Sequence, residues 1–200
     1  MRSALSLTMA LALWNPVLGA GVDLDSLADR LTQEHPEIPQ AAVQKALRYV
    51  RDHYVANSRY IGIINFNLPS NRKRLFLIKL SDGSVESFYV AHGEGSGGLY
   101  AEEFSDTPQS HQSSLGLFLT GEDYDGKHGR SLKLRGMEGS NNMAESRAVV
   151  IHGSDYVSDD YIAERGMAGR SWGCPAVDYR YRDHIIDVLE NGAVLVAHRA

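Results

Sequence analysis

The spacing of apolar residues changes near residue 58, from a helical period to short continuous runs. Leu24, Leu27 and Leu31 recur at helical spacing behind Asp23, which is a suitable N-cap. A second helical pattern begins at Pro39, a residue suited to a first turn, and continues to about residue 56. We expect these two helices to cover one side of the domain.

Beyond residue 58 the short apolar runs are bounded by turn residues, which is typical of β-strands. Asp82 and Gly83 lie between two of these runs and favour a tight hairpin turn. A last helical segment, residues 179–191, ends before Gly192. The predicted strands are residues 60–66, 74–80, 85–91, 115–120, 131–135, 148–151 and 193–197.

Two long polar segments, residues 93–114 and 121–130, separate the predicted strands, and loops of this length in a compact domain are usually functional. The chain shows no internal repeat and no linker. The pattern therefore predicts one domain over residues 21–200, with a helical cover at 21–57 and a β-rich core at 58–200. The predicted fold class is mainly β with covering helices, or α+β.

The first 20 residues resemble a secretory signal peptide. Arg2 precedes an apolar run over residues 4–13, and small residues follow up to an expected cleavage point near residues 19–21. A membrane anchor is the weaker alternative, because the run is about half the roughly 20 residues that span a bilayer. We therefore expect an exported, periplasmic protein with no membrane anchor after cleavage.

Composition narrows the class of partner. The 200-residue chain is 43% hydrophobic and 22% charged, with a formal charge of −5. A protein this acidic lacks the positive field that non-specific nucleic-acid binding requires, so we expect no nucleic-acid partner. Basic residues nevertheless concentrate near Arg147 and Arg170, and we predict that one of them binds a substrate carboxylate. The alternative is a polar strand face exposed to water.

Cys174 is the single cysteine of the chain, so it has no internal disulfide partner. An accessible thiol in an oxidising compartment is a liability unless it reacts, and we interpret Cys174 as a nucleophile rather than as a packed thiol. Gly173 lets the backbone turn tightly, so that the N–H groups of Gly173 and Cys174 can point at one developing oxyanion. Pro175 fixes the exit from that turn.

A catalytic thiol needs a neighbouring base, and three histidines are candidates. His152 and His92 each follow an apolar run at the end of a predicted strand, whereas His128 lies in a polar segment. A zinc site would need these three widely separated histidines together with an acid, so we predict no metal and no cofactor. The glycine-rich stretch at residues 93–98 lacks the spacing of a phosphate-binding loop, and we interpret it as a flexible loop.

Several blocks of the chain, taken in order, resemble the catalytic domain of the YkuD-type L,D-transpeptidases, and specifically its exported murein branch. The similarity extends from about residue 60 to residue 197. The blocks that carry it are residues 113–116, 126–129, 146–153 and 169–177.

This resemblance implies a β-sandwich or mixed sheet with two N-terminal helices and one helix after the cysteine. It also implies an enzyme of cell wall biogenesis and cell shape whose partners are peptidoglycan stem peptides, one as donor and one as acceptor. Cys174 would attack an L–D peptide bond and form an acyl-thioester, which an amine resolves. His152 would be the base, with its ring oriented by the Gly153 carbonyl, and the N–H groups of Gly173 and Cys174 would hold the oxyanion.

The sequence departs from the commoner family signature at the cysteine loop. Trp172 stands where the family usually has a second histidine, so we expect Ser171 and Trp172 to contact substrate and His92 or His128 to supply the missing imidazole. The inserted segment 154–168 is expected to form part of the substrate wall. Two alternatives to transpeptidation remain open: an L,D-carboxypeptidase or hydrolase that uses water as acceptor, and a non-catalytic peptidoglycan-binding module.

Overall fold

Eight strands form a single mixed sheet in the order β3-β2-β1-β8-β4-β5-β6-β7. The computed structural model describes residues 24–200. The strands are β1 (Tyr60–Asn65), β2 (Leu75–Lys79), β3 (Val85–Phe88), β4 (Gly116–Gly126), β5 (Gly129–Gly136), β6 (Val150–Gly153), β7 (Ala176–Val177) and β8 (Val194–His198). The helices are α1 (Leu24–Glu34), α2 (Gln40–Asp52), α3 (Asp159–Arg165) and α4 (Tyr179–Leu189).

The centre of the sheet is apolar on both faces because helices cover both. β1 pairs in parallel with β8, and alternate residues of β1 point to opposite sides. Ile61 and Ile63 pack with the apolar faces of α1 and α2, whereas Ile64 packs in the cluster that contains Ile185 and Leu189 of α4. This double coverage explains why β1 and β8 appear in the sequence as continuous apolar runs.

The helices confirm the predicted fold class, with two helices at the N-terminal side and one after the cysteine. The signal-peptide segment 1–20 and the Asp23 cap lie outside the described residues. Within residues 24–200, no helix combines the length and the apolar character needed to cross a membrane.

The prediction of a loop at residues 121–130 is wrong. β4 continues through a bulge between Thr120 and Asp123 and pairs with β5 as far as the Gly126 and Gly129 pair, so this segment is most of a long hairpin. β8 pairs only with Gly116–Leu119 of β4, and the rest of the hairpin projects beyond it. Residues 121–130 lie outside the apolar clusters that cover the rest of the sheet, so their sequence is polar and lacks the strand signal.

Smaller differences concern segments next to the cysteine. Residues 93–98 contain a short 3-10 helix with Ser96 buried, and Gly93 forms a β-bridge with Ser171, so the stretch is packed rather than flexible. Segment 154–168 holds a second 3-10 helix and α3. β7 was not predicted because two residues are too few to form a pattern.

Candidate active site

A cavity of about 480 Å³ opens where the cysteine loop, the end of β6 and the tip of the β4–β5 hairpin meet. Cys174 and His152 both line it, because β7, which starts shortly after Cys174, pairs in parallel with β6 and places Ala176 beside His152. None of the described residues that line this cavity is acidic. Its titratable and polar lining residues are Tyr124, Lys127, His128, Arg147, His152, Tyr156, Arg170, Ser171, Trp172 and Cys174.

The His152 ring is fixed in one tautomer by its own strand. Its Nδ1 lies 3.0 Å from the carbonyl oxygen of Gly153. A carbonyl oxygen only accepts, so Nδ1 carries the hydrogen and donates it, which leaves Nε2 as the basic nitrogen. The side chain is 3% exposed and sits at the buried end of β6. The imidazole is therefore rigid and oriented, as a general base requires.

The cysteine loop is a tight turn held by Ser171. Gly173 has a φ of +115°, and a Cβ there would lie 2.7 Å from the carbonyl oxygen of Gln112. Ser171 Oγ accepts from the Gly173 N–H at 3.1 Å and donates to the Cys174 carbonyl at 2.6 Å. Ser171 is thus a residue of the turn rather than an open substrate contact, and the Gly173 N–H, expected to hold the oxyanion, is already engaged.

Burial moves the pKa values of the two central groups in opposite directions. It raises the pKa of the Cys174 thiol, an effect partly offset by the Val150 N–H and the nearby charge of Arg147. It lowers the pKa of His152, and the neighbouring His128 lowers it further. Both shifts favour the uncharged forms. The resting pair is therefore a neutral thiol beside a neutral imidazole.

Arg147 lines the cavity, but its guanidinium is bonded within the protein and is not available to a ligand. Its side chain is 5% exposed and donates to the Ser105 carbonyl at 2.9 Å, to Ser114 Oγ at 2.7 Å and to the Gln112 carbonyl at 2.7 Å. It also pairs with Asp106 at 3.3 Å. With its donors committed, Arg147 holds the 93–114 segment against the cysteine loop, and the expectation that it binds a carboxylate does not fit this arrangement.

His92 is also a buried structural residue. The ring has no exposed surface, and its Nδ1 accepts from Arg74 at 2.7 Å. Desolvation, together with the positive charge of Arg74, lowers the pKa of His92 to about 4. Arg74 also donates to the carbonyls of Val90 and Leu68. The direct substrate contact expected of His92 therefore does not fit the structure, and His92 does not supply the second imidazole.

Two aromatic stacks flank the cavity. The His128 ring lies 4.4 Å from the His152 ring at 22°, so the second imidazole comes from the hairpin tip. Trp172 stacks on His111 with centroids 4.7 Å apart and planes at 5°, while Lys127 Nζ lies 5.8 Å from the indole centroid. Because Trp172 remains 67% exposed, it offers substrate an aromatic surface at the mouth of the cavity.

Arg170 is the basic lining residue best placed to meet a ligand. It is exposed, and its guanidinium donates to the carbonyl of Gly97 at 3.2 Å. Among residues 24–200 it forms no ion pair with a carboxylate. The expected wall from segment 154–168 is present through Tyr156, whose ring packs on Gly169 and whose pKa burial raises to about 12.

Comparison with known proteins identifies the class of domain. Residues 34–198 match the family model described as the L,D-transpeptidase catalytic domain. The chain belongs to this family. No curated protein matches it significantly.

Solved structures similar to this L,D-transpeptidase domain share little sequence with it. The L,D-transpeptidase from Mycobacterium smegmatis has 11% identity and a TM-score of 0.45 over 70% of this chain and 59% of that one. The L,D-transpeptidase from Xylanimonas cellulosilytica has 16% identity and a TM-score of 0.43 over 89% and 94%. The helical cell shape determining protein Pgp2 from Campylobacter jejuni has 12% identity and a TM-score of 0.47 over 73% and 49%. The chain thus spans less than two thirds of the first and third of these structures.

The L,D-transpeptidase site contains residues that sequence reasoning missed. Tyr124 lines the cavity, and His111 lies beside it through its stack on Trp172. Both lie in polar segments with no local signal, whereas Lys127, which also lines the cavity, belongs to the basic residues that the sequence concentrates before Arg147. The described part of the chain holds no group of three or more His, Cys, Asp or Glu side chains arranged to bind a metal.

Proposed function

We propose that this chain is an exported peptidoglycan L,D-transpeptidase that acts through a Cys174 thioester. The observation that carries the proposal is the meeting of the single cysteine and an oriented, neutral His152 in one cavity of a domain from this family. Export to the periplasm is part of the proposal and is supported by the signal-like first 20 residues.

In the acylation step His152 Nε2 takes the thiol proton as Sγ attacks the carbonyl carbon of the L-residue. The negative oxygen that develops faces the Cys174 N–H, because the Gly173 N–H is already bonded to Ser171 Oγ. The C–N bond to the D-residue then breaks, and the departing amine receives the proton from His152. The products are an acyl-thioester and a free D-amino acid.

In the transfer step an amine of a second stem peptide gives up a proton to His152 and attacks the thioester carbonyl. The C–S bond breaks, the thiol regains its proton, and a new amide joins the two stems. A cavity with basic residues and no acidic lining suits stem peptides, which carry carboxylates. We extend this to a role in cell wall biogenesis and cell shape, in line with the name of the Campylobacter jejuni helical cell shape determining protein.

Intact-protein mass spectrometry with a disaccharide-tetrapeptide tests the proposal. We expect an adduct whose mass equals the muropeptide without its last residue, together with cross-linked dimers. Cys174→Ala and His152→Gln should each abolish the adduct. His53→Ala, at the exposed end of α2, is the matched histidine control and should acylate like the unmodified chain.

The products also decide between the competing functions. An adduct that resolves only to the trimmed tripeptide, with no dimer even when amines are in excess, assigns an L,D-carboxypeptidase or hydrolase. Binding to cell-wall sacculi that is unaffected by Cys174→Ala, with no adduct from a folded protein, would instead establish a non-catalytic binding module.

A further inference from the structure

The tip of the β4–β5 hairpin lies beside the candidate base because β5 pairs with β6 and places Ser131 opposite His152. Beyond Leu119, β4 pairs only with β5, and β5 pairs with β6 no further than Ser131, so the end of the hairpin is an arm that projects past β8 and β6. The arm ends at Lys127 and His128, and it lays the His128 ring on that of His152 at 4.4 Å. The β5–β6 ladder holds the hairpin as far as Ser131, and the polar tip beyond it needs a further anchor if its side chains are to stay in place.

Arg130 is that anchor. Its Nε lies 2.7 Å from Asp123 on the opposite strand of the hairpin, and its other nitrogens reach α4, with Asp187 at 2.7 Å and Asp183 at 3.7 Å. Glu190, just after α4, lies 3.8 Å away. One partly buried guanidinium therefore ties both strands of the arm to a helix that is itself packed in the core.

We propose that His128 is a positioning residue for His152, and that the Arg130 ion pairs hold the hairpin tip so that the His128 ring covers the solvent side of the base. The assignment of His152 as base rests on the proposed function, whereas the stacking and the anchor do not. His128 is exposed and His152 is 3% exposed, as expected when one ring covers the other.

The cover has two physical effects on His152. It keeps water away from the ring, which penalises the imidazolium, and it places beside it a second imidazole that resists the presence of two adjacent positive charges. Other groups also face this region: Tyr179 and Arg182 of α4 pack on Gly153, and further titratable groups line the cavity. Those lining groups are Lys127, Arg147, Tyr156, Arg170 and Cys174. His128 is the one whose ring is stacked on that of His152.

The test compares four variants of the full chain in two assays. His128→Ala removes the cover, His128→Phe keeps an uncharged ring, and Arg130→Gln releases the anchor. Lys133→Gln is the matched control, because Lys133 pairs with Glu122 within the same hairpin at 2.6 Å and does not reach α4. The first assay follows the protonation of each histidine by NMR of the ring carbons, with His152 assigned from His152→Gln. The second measures the acylation rate against pH.

We expect His152 to protonate at higher pH in His128→Ala and in Arg130→Gln, to shift less in His128→Phe, which keeps the covering ring but loses the second imidazole, and to keep its titration in Lys133→Gln. For each chain we divide the acylation rate below the pKa of His152 by the rate at pH 8. This ratio should be about 3- to 10-fold lower in His128→Ala than in the unmodified chain, because less of its His152 is unprotonated at low pH. An unchanged His152 titration in His128→Ala would overturn the proposal. The NMR titration needs no substrate. If the chain never acylates but the His152 titration moves in His128→Ala, the proposed function is refuted and the positioning role of His128 stands.

Discussion

The uncharged resting state of Cys174 and His152 has a direct chemical consequence, because only a thiolate reacts with an alkylating agent. Burial raises the pKa of the thiol and lowers that of the imidazole, so proton transfer between them is unfavourable before substrate binds. The fraction of Cys174 that is thiolate therefore depends on pH alone, because His152 does not take the thiol proton in the resting enzyme. The perturbation is pH alone, applied to a chain whose single cysteine is Cys174.

The size of the effect follows from the titration. Below its pKa a thiol gains tenfold in thiolate for each pH unit, so a thiol whose pKa is raised above the ordinary ~8.5 should alkylate up to about 300 times faster at pH 8.5 than at pH 6. A preformed thiolate–imidazolium pair would instead give a nearly constant rate, within about threefold, over the same interval. The two cases differ by about two orders of magnitude.

The assay is iodoacetamide alkylation followed by intact-protein mass spectrometry, which counts a single site because Cys174 has no competitor. His152→Gln is the control, and we expect its rate to rise with pH in the same way as that of the unmodified chain. A rate plateau between pH 6 and pH 8 that disappears in His152→Gln would refute the argument, since it would show that His152 already holds the thiol proton at rest.

Three further predictions concern Gly173 in the cysteine turn, the buried His92 and the exposed Arg170. Gly173→Ala should lower acylation at least about 100-fold, because a Cβ at a φ of +115° and 2.7 Å from the Gln112 carbonyl displaces the nucleophile; a normal acylation rate would contradict this. His92 has a folded-state pKa of about 4, below that of the unfolded chain, so the free energy of unfolding should fall by up to about 3 kcal/mol as pH drops from 6.5 to 4. Chemical denaturation across this range should show a shallower fall in His92→Gln. Arg170→Gln should raise KM about tenfold for a stem peptide with free carboxylates and leave KM unchanged for the amidated peptide, as steady-state kinetics would show.

The sequence predicts those parts of the fold that bury an apolar face. The helical period of α1 and α2 and the apolar runs of β1 and β8 arise because the two faces of the sheet are covered, and these elements are confirmed. The end of the β4–β5 hairpin, residues 121–130, contributes no residue to either apolar cluster. Residues 121–130 are held by the hydrogen bonds between β4 and β5, by the β5–β6 ladder that begins at Ser131, and by Arg130, and none of these leaves a periodic pattern in the sequence.

The residues of the candidate site also differ in how far local sequence predicts their placement. His152 and Cys174 were predicted because each has a local context, a buried strand end in one case and a glycine turn in the other. Arg147 and His92 have side chains suited to binding, but their burial depends on how the 93–114 segment and β2 fold over them. Local sequence does not show which polar side chains another segment will enclose.

The two stacks explain why the site is bordered by polar sequence. The imidazole and ammonium groups beside Cys174 and His152 remain hydrated on their outer side, and an apolar layer over them would remove that hydration. His128 reaches His152 on an arm tied down by ion pairs, and His111 reaches Trp172 from a loop in which it also contacts Glu94 at 2.7 Å. Polar segments that flank a predicted nucleophile are therefore where a second layer of the site should be sought, because their rigidity comes from charge and stacking instead of burial.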